Sequence, residues 1–589
     1  MLASSAGAQA AGSTAMGWGA NAYGQVGNGT AAQAGCFCVS TPTPVSGLSD
    51  ATQISGGDNH TLALHADGTV TAWGYNFSGQ LGNGTTTESA TPVPVSGLTN
   101  AVAVDASNRH NLALLADGRV MAWGSNFSGE LGIGSSDFSG GGPETCGPSP
   151  CSKVPVQVSG LSDVVAIQAD YYYSAALLAN GTAVAWGNDY YGQLGDATGI
   201  RTGCECQDHP VPVPGVSGAM NISAGEDHVL ALLGNGTIMA WGENVEGQVG
   251  NGSFIESAPP VCYCVGAVAV AGLSGPVRRV DAGAYHSLAQ LGGGALQAWG
   301  YNADGELGNG TTTTAGCECV PAPGVVADLS GVQSVAAGDY HSLALLGDGS
   351  VRGWGYNSNG QVGDGTQASR SAPVPVGGVS GASDVSTGEY TSFALIGPSR
   401  TLTVSLAGAG TGAVGGPSGI ICPAVSCVSG SPDSRVEVLR AEPAPGTGFA
   451  GFTGACTGIG TCKVSMDADE AVTATFGPPK GTTIVKAKIK PGKKLRKGAK
   501  RRPKPRGRAT FAFSAPGAVT AYQCMLITPK PRRKKAQSAV TRRKPSFSNC
   551  SSPKRYKKLR KGRYMFKVRA LNILGADAQP AVRKFRIRR

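Results

Sequence analysis

Long apolar runs are missing from this chain of 589 residues, and no stretch approaches the roughly 20 apolar residues of a membrane-spanning helix. No export leader is visible either. The opening MLASSAGAQAAGSTA has no basic flank and no apolar run of leader length, although small residues from Ala6 to Ala10 would suit the end of a cleavage region. The expectation is that the true start lies upstream or that the protein is not exported. The chain also lacks a GxSxG nucleophile elbow, a GxxxxGKS/T phosphate loop and an HExxH zinc helix. Enzyme is therefore the weakest class, with no catalytic residue, cofactor or metal expected. Each end is poor in charge of one sign: residues 1–476 hold 12 Lys and Arg against 36 Asp and Glu, while residues 477–589 hold 36 Lys and Arg against Asp577 alone. The net charge of +11 thus divides into −24 and +35. Such asymmetry suggests an anionic partner or an internal attraction. Aromatics are few, at 6%, and glycines many, at 90, which suits a turn-rich all-β chain.

What the sequence has instead is a repeat, plainest at residues 57–84 as GDNHTLALHADGTVTAWGYNFSGQLGNG. Two short runs, His60 to Leu64 and Thr69 to Gly74, carry apolar residues at alternate positions, so each presents an apolar face as a strand. Between them lies Asp67-Gly68, and the same place holds Asp117-Gly118, Asn180-Gly181, Asn235-Gly236, Gly293-Gly294 and Asp348-Gly349. These residues tolerate the positive φ of a two-residue hairpin turn. After each Trp-Gly, an Asn or Asp (Asn76, Asn126, Asp189, Asn244, Asn302, Asn357) stands three residues before a Gly; its side chain is expected to bond backbone two residues on.

Counting gives the architecture. All seven tryptophans, Trp18, Trp73, Trp123, Trp186, Trp241, Trp299 and Trp354, sit in the motif at spacings of 50 to 63 residues. The partner strand also occurs seven times, opening at His60, His110, Tyr173, His228, His286, His341 and Thr391. The first Trp-Gly has no partner strand before it and the last partner strand has no Trp-Gly after it, as expected if one unit is split and completed by ring closure. Repeats of this length with about four strands each stack radially as blades. The prediction is an all-β fold, a seven-bladed propeller with a split closing blade.

The WGxNxxGQLGNGT, PVPVSGL and GxxHSLALLxDG elements resemble regulator of chromosome condensation repeats over about two thirds of the chain, a resemblance that itself implies a seven-bladed propeller. It implies less about activity. The family's eukaryotic type member is a nucleotide exchange factor for a small GTPase and binds chromatin, while a similar secreted bacterial propeller inhibits β-lactamases. The function expected here is non-catalytic binding of an unidentified protein on a propeller face, at the cell surface or outside the cell, with the cytoplasm as the alternative. The competing readings are an exchange factor for a small GTPase and an inhibitor of a secreted enzyme such as a β-lactamase.

Sixteen cysteines leave none over when paired by proximity. Cys36-Cys38, Cys146-Cys151, Cys204-Cys206, Cys262-Cys264 and Cys317-Cys319 all fall in the variable loop after the GNGT turn. Disulfides are the preferred reading and imply an oxidising compartment; zinc shared between loops and free thiols are the alternatives. Of the seven histidines, five open partner strands. A metal-binding ring is one reading, but Tyr173 and Thr391 occupy the same position, so hydrogen-bonding structural histidines are preferred. His65 and His209 lie outside that register, with no nucleophile nearby.

The segments then divide as residues 1–16, the propeller 17–398, a small β domain 401–477, a basic linker 478–508 and a β module 509–589. The first β segment, with Cys422-Cys427, Cys456-Cys462 and Phe452, resembles a divergent internalin-type bacterial repeat, whose family role is spacing or adhesion. The last resembles an immunoglobulin-like bacterial module, which implies a bridge between Cys524 and Cys550. Lys493, Lys494, Arg496, Lys497, Lys500, Arg501 and Arg502, with Arg532, Arg533, Lys534 and Lys535, are candidates for binding an anionic polymer or nucleic acid. A solvated spacer is the other reading of the same residues.

Overall fold

A computed structural model describes residues 13–32, 35–134, 144–147, 149–195, 206–255, 264–314, 317–408, 410–416, 420–422, 426–444, 447–477, 483–490, 507–514, 521–527, 548–551, 554–559, 562–572, 575–576 and 581–587. The repeats form seven antiparallel sheets, six of four strands and one of five. These are the predicted blades. The closing blade draws strands Thr14–Ala20 and Cys38–Pro44 from the start of the array and Ala382–Thr387 and Thr391–Ile396 from its end. Trp18 lies opposite Ser392 across that seam.

Alternation predicts one buried face for a strand such as His60–His65, yet residues on both of its faces are buried, as in His110–Leu115 and His286–Leu291. Each blade is sandwiched between two others, so small polar residues must be buried among the leucines. The innermost strand of each blade would otherwise be an unpaired edge, and in six of the seven blades a side chain from a neighbouring blade bonds it. Ser55 Oγ accepts from the Ala106 N–H at 3.0 Å, Asp105 Oδ2 from Ala169 at 2.8 Å, Gln168 Oε1 from Ala224 at 3.0 Å and Ser223 Oγ from Ala282 at 3.0 Å. The Gly56 N–H donates to Ser386 Oγ at 3.4 Å across the closure.

The tryptophans latch the blades together. All seven are fully buried, and each indole N–H donates to a backbone carbonyl of the preceding blade at 2.8–3.0 Å: Trp18 to Gln361, Trp73 to Gln25, Trp123 to Gln80, Trp186 to Glu130, Trp241 to Gln193, Trp299 to Gln248 and Trp354 to Glu306. The glycine two residues on must be small for the indole to fit: a Cβ at Gly363 would lie 2.6 Å from Trp18 Nε1.

Two turn expectations are corrected. Only Gly68 of Asp67-Gly68 has positive φ, at +79°; the Gly68 N–H donates to the His65 carbonyl and the His65 N–H to the Thr69 carbonyl. This is a type I turn with a left-handed glycine bulge, in which one glycine supplies all the unusual geometry. The other five hairpins repeat it. Likewise Asn76 Oδ1 accepts from the N–H of Leu81, five residues on rather than two, at 2.9 Å. Asn126, Asp189, Asn244, Asn302 and Asn357 do the same, because the intervening SGQ-type turn folds back beneath the side chain.

Disulfides join Cys36–Cys38, Cys146–Cys151, Cys317–Cys319, Cys422–Cys427, Cys456–Cys462 and Cys524–Cys550, with Cα separations of 5.1–5.8 Å, within the span such a bridge allows. Cys206 and Cys264 are also disulfide-bonded, while Cys204 and Cys262 lie outside the described residues. Maleimide labelling of the denatured, unreduced protein should therefore find almost no free thiol. Labelling of most of the 16 cysteines would place the chain in a reducing compartment.

Contacts divide the chain into two units. The first holds Met1–Ser405, Ala413–Ala441 and Thr453–Thr473; besides the blades it pairs Ser399–Ala407 with Ser426–Pro432 and Val436–Pro443 with Cys462–Ser465. The second includes Ala474–Arg589, where Ala521–Ile527 lies between Ser548–Cys550 and Gly562–Asn572. Its core stacks Phe511 on Phe566 at 4.1 Å between ring centres, with Phe585 beside them.

Candidate functional site

The seven inner strands enclose a channel on the propeller axis, with a cavity of about 230 Å³. Its wall is set by strand alternation: third and fifth residues of the inner strands, such as Gln53 and Ser55 or Asn221 and Ser223, line it, and the fifth-position side chains Ser55, Asp105, Gln168, Ser223 and Ser386 are those that bridge blades. One end is closed by Arg435, the single residue from outside the blades among those described as lining the cavity. Its Nη1 donates to Asp384 Oδ2 at 2.7 Å, in a chain that runs from Arg279 through Ser334 to Asp384. Nearby, Arg440 Nε donates to the Ala179 carbonyl at 2.7 Å.

The other end is differently built. Just before each partner strand stand Asp58-Asn59, Asn108-Arg109, Tyr171-Tyr172, Glu226-Asp227, Ala284-Tyr285, Asp339-Tyr340 and Glu389-Tyr390. With Asp170, these form a mouth of carboxyl groups and phenols. Burial, then the charges of Glu389, Asp170 and Glu226, pushes the Asp58 carboxyl well above the usual range against the pull of Arg109. Burial likewise raises Asp170, Asp227 and Asp339, and raises Glu226 despite a hydrogen bond from the Tyr285 hydroxyl. Tyr340 lies 5.6 Å from Tyr285 and 6.2 Å from Tyr390, ring centre to ring centre. Aromatic surface continues outward through Tyr75, 4.7 Å from Tyr23 and 6.4 Å from Phe77, the last of which is half exposed.

The predicted histidine register is structural. His60 Nε2 bonds Asn111 at 2.6 Å, and His110, His228, His286 and His341 bond Ser174, Ser287, Ser342 and Ser392 at 2.7–2.9 Å, each in the next blade. Because those serine hydroxyls donate onward to the carbonyls that hold the tryptophans, each imidazole Nε2 must carry the proton. Burial lowers these pKa values to about 3 or 4, which keeps the rings neutral. His65 bonds Thr71 and Asp50, and His209 pairs with Asp208. Among the described residues no three His, Cys, Asp or Glu side chains are grouped to hold a metal. The polyanion candidates from Lys493 to Arg502 and from Arg532 to Lys535 lie outside the described residues.

The mouth was not anticipated from the sequence. Its signal was available: with the seven copies aligned on the strand-opening residue, carboxylates and tyrosines accumulate at the two positions before it, while the position before those is glycine in five copies, with Ser107 and Asp170 in the others.

A seven-bladed propeller built from one repeat is the class of protein this geometry defines. The model of the Regulator of chromosome condensation (RCC1) repeat matches residues 16–64, 67–114, 117–177, 180–232, 235–290, 294–345 and 348–395, over half of the chain. The chain belongs to that family. It is 27% identical over 360 residues to the ultraviolet-B receptor UVR8 of Arabidopsis thaliana, covering 60% of this chain and 64% of that protein. It is 32% identical over 208 residues to the probable E3 ubiquitin-protein ligase HERC6 of Homo sapiens, covering 34% of this chain but only 18% of HERC6. The chain thus spans under a fifth of that ligase. Among solved structures it is similar to Prp20p of Saccharomyces cerevisiae, described with its binding to Gsp1p and histones (TM-score 0.56, 23% identity, 66% of this chain and 93% of that one), and to human WBSCR16 (TM-score 0.55, 21% identity, 65% and 98%). At these identities the likeness is one of fold.

Proposed function

We propose that the chain is a non-catalytic binding protein that holds a protein partner on its propeller, outside the reducing cytoplasm. The observation that carries this is the contrast between the tryptophan latch found in all seven blades, backed by recurring histidine and serine, and the varied residues at the mouth, where binding residues are normally presented on a rigid scaffold. Protein binding by the structural relative Prp20p supports the reading, and the paired cysteines support the compartment. An exchange factor for a small GTPase is the second reading, and it rests on the family resemblance alone. The full chain, used as bait in culture medium, should retain a specific protein, and it should not accelerate release of a fluorescent guanine nucleotide from small GTPases. Catalysed release would reverse the order of the two readings.

A further inference from the structure

Turn geometry does not account for the carboxylates at the open mouth. In each inner hairpin the same backbone bond is made, from the Gly57 N–H to the His60 carbonyl at 2.8 Å and likewise from Ser107 to His110 and from Gly283 to His286. Blades with Asn108-Arg109 or Ala284-Tyr285 between those groups make the turn equally well. Asp58, Glu226, Asp339 and Glu389 are therefore surplus to the fold, and burying them together costs stability. Asp58 and Glu389, from blades on either side of the closure, are hydrogen-bonded to each other.

A second sign lies behind them. Glu306 is fully buried and its Oε1 has no hydrogen-bond partner among the described residues. Gln25 and Gln193, at the same place in their repeats, send Nε2 to Asn59 at 3.3 Å and to Asp227 at 2.7 Å, the residues immediately before strand-opening histidines. Gln248, at the same place again, sends Nε2 instead to Glu243, two residues after its own blade's tryptophan, at 3.3 Å; by these two registers the Glu306 oxygen, an acceptor with no donor among the described residues, lies on the side of Tyr340 and Tyr301, whose rings are 6.2 Å apart.

We propose that this mouth is a docking surface for a lysine- and arginine-rich segment of a partner protein, one cationic side chain entering the axis between Asp58, Glu226, Asp339 and Glu389 and its neighbours lying on the tyrosines. The inference rests on the binding role proposed above and names its partner class. Charge complementarity carries it: the described mouth residues include one cation, Arg109, within a region of net charge −24. The faces of Tyr285, Tyr340 and Tyr390 attract cations in addition. A segment fits better than a lone ion because Tyr75, whose N–H donates to the Asn59 carbonyl at 2.8 Å, continues the aromatic surface from the mouth to Tyr23 and Phe77.

The test is titration of the full chain into a fluorescein-labelled decapeptide of alternating arginine and glycine, at about 50 mM salt, where such contacts are weakly screened. The peptide should bind, and an uncharged serine-glycine counterpart should not. The double variant Glu226→Gln/Asp339→Asn should weaken binding at least tenfold with an unchanged or higher melting temperature, while Asp117→Asn/Asp348→Asn, in exposed turns, should bind as before. Equal binding by the mouth variant and the unaltered chain, or no binding by the unaltered chain, overturns the proposal. Spermine binding as tightly as the peptide would show a small-cation site and would also overturn it. A protein partner retained equally by the unaltered chain and the mouth variant would refute the mouth while leaving the propeller a protein-binding module.

Discussion

Alanine in place of Trp18 should cost roughly 3–5 kcal/mol, the usual penalty for emptying a buried aromatic site, and should also release the two ends of the propeller. Trp18 is packed with Leu343, Leu345, Val376 and Val385, and its indole N–H holds the Gln361 carbonyl at 2.8 Å. Trp186 makes the equivalent bond to Glu130, but there the chain runs on from one blade to the next and keeps them adjacent after the latch is lost. At Trp18 the ring is shut by non-covalent contacts alone, chiefly the pairing of Thr14–Ala20 with Thr391–Ile396. Amide hydrogen exchange separates the two cases, since local opening and global unfolding are read at different amides. In W18A, protection should fall first along those two strands, with Tyr173–Leu178 exchanging only by global unfolding. In W186A the loss should be even. Even loss in both variants would mean that the closure is no weaker than any other blade interface.

The propeller was legible because its period is carried by residues with no substitute: seven tryptophans whose indoles need a buried acceptor, and glycines that stand against them. Ring closure was legible from the unpaired first and last half-repeats. What escaped was anything set between blades. Pairing of His286 with Ser342, 56 residues away, or completion of the Ala169 backbone by Asp105, depends on a distance no local pattern encodes. The alternation rule also misjudged the partner strands, because it counts faces of one sheet and cannot know that a second sheet covers the other. The turns were misread for a smaller reason: Asp-Gly fits either of two hairpins, and the φ of Asp67 decides between them.

Replacing Glu306 with glutamine should stabilise the protein strongly at pH 8 and hardly at pH 5. The position is held by glutamine in five blades, as Gln25, Gln80, Gln193, Gln248 and Gln361, and by Glu130 in one more, and its backbone carbonyl has the same task in all of them. The glutamate side chain is buried; one oxygen accepts from the Asp304 N–H at 3.0 Å and the other has no partner among the described residues. Burial pushes its pKa up from 4.5 to about 7. A folded value above the unfolded one means that folding takes up a proton, so the carboxyl's contribution is fully present below about pH 4.5 and is lost as the pH rises through 7. A gap of that size corresponds to roughly 3 kcal/mol once both states are ionised. Glutamine has nearly the same shape and no charge to bury, so it should recover roughly 2–3 kcal/mol at pH 8 and under about 1 kcal/mol at pH 5. The buried histidines pull the other way, since their lowered pKa values make folding less favourable as the pH falls below about 6.5. They do so equally in both proteins and cancel when the two are compared at one pH. Urea midpoints of Glu306→Gln and the unaltered chain at the two pH values decide the matter, because an equal gain at both would assign the effect to hydrogen bonding and not to buried charge.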